Sequence, residues 1–199
     1  MTDDELMIRV QCGEGDAFAE IVDRYQGILT GFFLRNTRDL QLSEDLVQDT
    51  LLKVHNQAWD YLPTGRFRGW LFRIARNHLI DNARKRSHDA LVKSIQRRPE
   101  EENDLLAQFA AEFRPPETDM EQREFIALVD ELLAEIPDDQ RQTFLLHHYS
   151  NLSLAEVAEI TDVPIATSKS RLRLAREKLA DKLRARGLNP PTELDAVSP

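Results

Sequence analysis

Between Phe67 and Arg86 apolar side chains recur at helical pitch, and this one periodicity narrows the folds open to the chain. Leu71, Phe72, Ala75, Leu79 and Ala83 fall on one helical face. Arg73, Asn77, Asp81 and Arg84 fall on the opposite face, with Trp70 at its leading edge. A plain solvated face mixes both charge signs, whereas this one is nearly all basic. It also carries amide and carboxylate hydrogen-bonding groups beside an aromatic ring. Basic groups meet phosphates, and aromatic rings stack on unpaired bases. The bland alternative is an amphipathic helix whose basic side simply faces water. A second basic helix near the other end of the chain argues against it.

The 199 residues suffice for one large or two small domains. No apolar run approaches bilayer length and the acidic N-terminus lacks a signal-peptide layout, so no membrane insertion is expected. The single Cys12 excludes an internal disulfide and fits a reducing cytoplasm. With only 7 Gly and few β-branched alternations, the chain reads as all-α.

A net charge of −9 looks wrong for a nucleic-acid binder until it is divided along the chain. Residues 63–98 carry a balance of +8 and residues 164–186 a balance of +6. Residues 99–162, between them, carry −14. Two basic blocks separated by an acidic one suggest two DNA-facing modules whose connection stays off the phosphates. The division expected is 1–90 for the first domain, 91–120 for an acidic linker, 121–187 for the second domain and 188–199 for a tail.

In the first domain Asp16 is a plausible N-cap for a helix bearing Phe18, Ile21, Val22, Tyr25, Ile28, Leu29, Phe32 and Phe33. After a polar break at Asn36–Gln41, Ser43 can cap the next helix, with Glu44 and Asp45 in its first turn. Leu46, Val47, Leu51, Val54 and Trp59 supply its buried side. Gln48, Asp49, Lys53 and Asn56 stay outside. Pro63-Thr64-Gly65 is turn chemistry ahead of the basic helix. In the linker, Pro115-Pro116 forbids a continuous helix, while Leu105, Leu106, Phe109 and Phe113 suit a short amphipathic one.

The second domain reads as four helices. Phe125 to Ile136 marks one, ended by Pro137, and Arg141–Tyr149 a second. Ser153 caps a third, Leu154–Thr161, with Glu156 completing a capping box. Asp162-Val163-Pro164 is a tight turn before a long helix from Ile165 to Ala185. These last two helices form a helix-turn-helix pattern, with Val157, Ala158, Val163, Ile165, Leu172, Ala175 and Leu179 inward. Lys169, Ser170, Arg173 and Arg176, with Arg171 alongside, gather on the outward face, where Arg or Lys can read guanine in a major groove. The alternative is an ordinary surface helix, whose charges usually alternate.

Together these segments resemble the bacterial RNA polymerase sigma factors, specifically the small two-domain extracytoplasmic-function (ECF) type. Ser43-Glu44-Asp45-Leu46-Val47-Gln48-Asp49-Thr50 looks like the family's polymerase-clamp-binding helix. Phe67–Arg86 looks like its segment for melting and reading the promoter −10 element. Leu152–Leu179 looks like its −35-reading helix-turn-helix. The resemblance implies that Asp45, Gln48 and Asp49 meet core RNA polymerase. It likewise implies that Trp70, Arg73, Asn77, Asp81 and Arg84 face the melted −10 DNA. Lys169, Ser170, Arg171, Arg173 and Arg176 would contact the −35 duplex, and an anti-sigma factor is a further implied partner. Ala166, Ser168 and Leu174 depart from the family's usual Gly, Val and basic residue, so a relative's promoter preference does not carry over.

The main rival is a stand-alone helix-turn-helix regulator, which leaves Trp70, Asn77 and their basic helix unemployed. An enzyme ranks third, with no cofactor expected. His55, His78, His88 and the His147-His148 pair lack metal-ligand spacing, and no Gly-rich phosphate loop or nucleophile motif is present. His147 and His148 are expected to pack or cap near a helix end.

Overall fold

The computed structural model describes residues 1–89 and 119–188. It divides into two compact units, Met1–Glu101 and Glu102–Pro199. The described residues form helices and turns without a strand, as the low glycine content predicts. The helix expected at Leu105–Phe113, nearly all of the linker and the tail beyond Leu188 lie outside the described residues.

The first unit contains α1 (Asp3–Gln11), α2 (Gly15–Thr37), α3 (Leu40–Asn56), a 3-10 turn (Ala58–Asp60) and α4 (Phe67–Asp89). Its core is aromatic and runs along α2. Phe32 meets Phe33 and Phe72 edge-on at 5.5 and 5.4 Å, and Tyr25 meets Phe67 at 5.4 Å. Leu6 and Met7 of α1, Leu46 and Val54 of α3, and Leu71 and Ala75 of α4 close around these rings. Each of the buried Leu, Met, Val and Phe side chains contributes roughly 1.5–3 kcal/mol by leaving water.

The helix starts differ from expectation, for a local reason in each case. Asp16 lies inside the first turn of α2, whose N-cap position is Glu14, without a side-chain cap. Arg38 takes a left-handed conformation (φ 57°) that ends α2, so α3 begins three residues before Ser43. Asp39 is its cap, accepting from the Leu42 N–H at 3.1 Å. Ser43 is buried instead: its hydroxyl donates to the Asp39 carbonyl at 2.7 Å and lies 2.9 Å from the Thr37 hydroxyl. Glu44 and Asp45 therefore fall beyond the first turn, which has no acidic residue.

Trp59 is a plainer reversal. Extrapolating the stripe of α3 buries it, but α3 stops at Asn56 and the following turn leaves the indole 74% exposed. Ala58 takes the buried place. Within α4 the stripe also shifts: Ile74 is buried and Ala83 is exposed.

The second unit contains α5 (Asp119–Leu133), α6 (Asp138–Phe144), a π-helical segment (Leu145–Tyr149), α7 (Leu154–Thr161) and α8 (Ile165–Ala185). The expected helix over Arg141–Tyr149 thus starts earlier and widens at its end. Ser153 caps α7 with Glu156 in the reciprocal arrangement that the sequence predicts. Asp162, left-handed at φ 54°, turns the chain into α8. Phe144, Leu145, Leu146, Val157, Leu172, Ala175, Leu179 and Leu183 form the core. Ile165 does not join it: the first residue of α8, it is 47% exposed and lines an open groove with Ala155, Ala158 and Val163. Arg186, just past α8, with Glu131 of α5 (3.2 Å), Lys182 of α8 with Glu135, just past α5, and Arg171 with Asp139 of α6 (3.1 Å) tie these segments together.

Replacing Asp39 with Ala should cost about 1 kcal/mol of stability, the usual value of an N-cap, and Asp16→Ala much less. Urea unfolding followed by tryptophan fluorescence reads the difference. The opposite ranking would make Asp16 a cap of α2 and remove that role from Asp39 in α3.

Candidate nucleic-acid interface

Residues 70, 73, 77, 81 and 84 advance by three or four positions, so they track one line along α4. Burial of Leu71, Phe72 and Ala75 turns that line away from the core. Arg73, Asn77, Asp81 and Arg84 are exposed accordingly. Trp70 is half-buried at the head of the row. Its ring is tilted 48° to Tyr61 at 5.0 Å and 47° to Phe67 at 5.9 Å, and stays partly exposed. Arg68, one turn from the buried Phe72, lies over the Tyr25 ring at 5.7 Å.

Asp45, Gln48 and Asp49 stand exposed on α3, on a different helix from the basic row. The structure nonetheless brings Asp49 close to part of that row. Asp49, Leu52, Lys53, His78, Asp81 and Lys85 line one groove between α3 and α4. Leu52, at 56% exposure, is an apolar residue there that sequence reasoning missed. Its signal was present: the buried positions Thr50, Leu51 and Val54 leave residue 52 on the outer side.

In the second unit Lys169 and Ser170 are exposed on α8. Arg173 is exposed too and pairs with Glu177 one turn along the same helix. Such surface pairs contribute little, so the pair can exchange for a phosphate or base edge at small cost. Arg171 is half-buried and spends its Nε–H on Asp139, which gives it a scaffold contact besides the expected one. Arg176 is half-buried and close enough to His148 to act on its charge.

The histidine pair sits in the π-helical segment, packing as expected. His147 Nδ1 lies 2.7 Å from the Leu152 carbonyl, and His148 packs on Phe144 with ring centroids 4.6 Å apart. Burial, helped by His147 and Arg176, pushes the His148 pKa down to about 3. Burial and the Asp3 hydrogen bond push the Tyr25 phenol up to about 12. Among the described residues no group of three or more His, Cys, Asp or Glu is placed to hold a metal ion. No described helix is long and apolar enough to cross a membrane.

Comparison with known proteins gives the family. The family model described as Sigma-70 region 2 matches residues 21–88, and Sigma-70, region 4 matches residues 126–179. The ECF RNA polymerase sigma-E factor of Escherichia coli is 30% identical over 187 residues, covering 92% of this chain and 95% of the relative. The ECF sigma factor SigW of Bacillus subtilis is 29% identical over 185 residues, covering 90% and 98%. Among solved structures, CnrH in complex with the cytosolic domain of CnrY aligns with a TM-score of 0.66 at 24% identity, covering 92% of this chain and 97% of that one. The sigma factor RpoE of Bartonella quintana, in complex with the anti-sigma factor NepR, gives 0.65 at 24% identity, covering 84% and 96%. The chain belongs to the ECF RNA polymerase sigma factors, a family of transcription initiation factors rather than enzymes.

The depressed His148 pKa has a consequence for stability. The folded imidazole stays neutral where the unfolded one, near 6.5, takes up a proton, so stability falls as pH drops from about 6.5 towards 3. The slope from this one group reaches at most ~1.4 kcal/mol per pH unit. Calorimetric unfolding at pH 7 and pH 5 should show a smaller loss for His148→Gln than for the wild type. Equal losses would place the pH dependence elsewhere.

Proposed function

We propose that this chain docks on core RNA polymerase through α3 and sets it down at promoters by two separate DNA contacts. The row Trp70, Arg73, Asn77, Asp81 and Arg84 takes the unpaired −10 strand. Lys169, Ser170, Arg171, Arg173 and Arg176 of α8 enter the −35 duplex. The observation that carries this reading is the row on α4: an exposed line of basic, amide and carboxylate groups headed by a partly exposed aromatic ring that leans on Tyr61 and Phe67. Duplex binding has no use for such a ring, whereas an unstacked base does.

Energetics assign the division of labour. Opening about ten base pairs costs on the order of 14 kcal/mol at ~1.4 per step. Two or three captured bases return roughly 1–3 kcal/mol each. The chain cannot make up that difference alone, so polymerase must supply the rest. This gives the acidic positions Asp45 and Asp49, with Gln48, a role equal to that of the basic helices: they would meet a basic surface on the polymerase clamp. The solved relatives CnrH and RpoE are each held by a second protein, CnrY and the anti-sigma factor NepR. An anti-sigma factor is accordingly proposed as a further partner.

Two experiments test the reading. With polymerase present, forked DNA carrying an unpaired −10 segment should be bound more tightly than fully paired DNA; a preference for paired DNA would favour a stand-alone duplex-binding regulator. Asp49→Lys should weaken association with core polymerase without altering which promoters are chosen. Arg173→Ala should do the reverse, relaxing −35 preference by about 1–3 kcal/mol per base pair read. Unchanged polymerase affinity in Asp49→Lys would remove the docking role of α3.

A further inference from the structure

The connection from α3 to α4 is unusual in what it displays. Trp59 and Leu62 are each 74% exposed and Arg66 is exposed as well, yet Tyr61 between them is buried against Phe67 and Trp70. What holds this segment in place comes from α1, some fifty residues earlier in sequence. Asp4 takes the Tyr61 hydroxyl on one carboxylate oxygen and the Gly65 N–H, at 2.6 Å, on the other. Gln11, two turns further along the same face of α1, donates to the Ala58 and Tyr61 carbonyls at 2.8 and 2.9 Å. Gly65 adopts φ 77°, a left-handed turn that presents its N–H to the carboxylate.

We propose that Asp4 is a positioning residue for strand capture: by gripping Tyr61 and Gly65 it fixes the ring against which Trp70 leans and the turn that starts α4. The proposal rests on the single-strand role given above to the α4 row. A carboxylate has acceptor capacity for both donors at once, and bonds to an ionised acceptor are stronger than neutral ones. Tyr61 then forms a fixed wall for the Trp70 ring, so an incoming base meets a ring already in place. Ordering that ring and turn before binding removes an entropic cost from the capture step.

The test uses full-length chain bound to core polymerase, with a promoter fragment chosen by wild-type run-off transcription. It is supplied once fully paired and once with the −10 segment unpaired. Asp4→Ala, which removes both hydrogen bonds, should weaken forked-DNA binding about tenfold. Polymerase association and paired-DNA binding should stay within about twofold of wild type. Asp4→Asn, nearly isosteric but with one acceptor oxygen fewer, should fall between the two and keeps the test available if Asp4→Ala folds poorly. Thr2→Ala removes the α1 capping box without touching the turn, and should leave forked-DNA binding unchanged.

Wild-type binding to forked DNA in Asp4→Ala, or equal losses in Asp4→Ala and Thr2→Ala, would overturn the proposal. In the second case α1 would matter only through general stability. A wild-type holoenzyme with no preference for forked DNA overturns the underlying reading and this proposal with it. That failure appears before any substitution is made, so the two are told apart.

Discussion

The two ring contacts between α2 and α4, Phe72 on Phe32 and Phe67 on Tyr25, are the packing on which the first unit depends. It fixes the rotation of α4 about its own axis. Once Phe67, Leu71, Phe72 and Ala75 face inward, helical geometry leaves residues 70, 73, 77, 81 and 84 no other direction. The exposed row is thus a by-product of the core. Loss of either phenyl ring would leave a cavity that neighbouring helices can only partly fill, at ~3–5 kcal/mol.

The same logic recurs in the second unit with different materials. Leu172, Ala175 and Leu179 bury one side of α8 against α6 and α7, and Lys169, Ser170 and Arg173 are turned outward. The fit is held at the rim by ion pairs to α5 and α6, each worth little singly. Both units therefore use an apolar stripe to aim a polar one. Acidic residues in 1–62, in the 99–162 block and in the tail keep the whole chain at −9, so phosphate attraction is local to the two basic helices.

Sequence reading reached the elements that rest on periodicity and short-range chemistry. Most of the α4 stripe (Leu71, Phe72, Ala75 and Leu79, though not Ala83), the Ser153–Glu156 cap, the Asp162 turn and the exposed Lys169, Ser170 and Arg173 of α8 all follow from neighbours a few positions apart. It failed where distant or unpatterned contacts decide. Ser43 resembles a cap, but a left-handed Arg38 moves the helix start to Asp39 and draws the hydroxyl inside. Trp59 continues an apolar rhythm that the chain has already abandoned at Asn56. Ile165 looks like core and is half outside. The grip of Asp4 on Tyr61 and Gly65 spans some sixty residues and has no local sequence signal at all.

Two predominantly basic helical faces, one on each folded unit, are what the proposed role on polymerase and DNA accounts for. The direct measurement is run-off transcription with purified polymerase lacking any sigma factor, on a library of genomic fragments, with and without this chain. Transcripts beginning at defined positions, dependent on the added chain, are the predicted result. Transcription that stays random, or that is unchanged by the chain on every template, would contradict it.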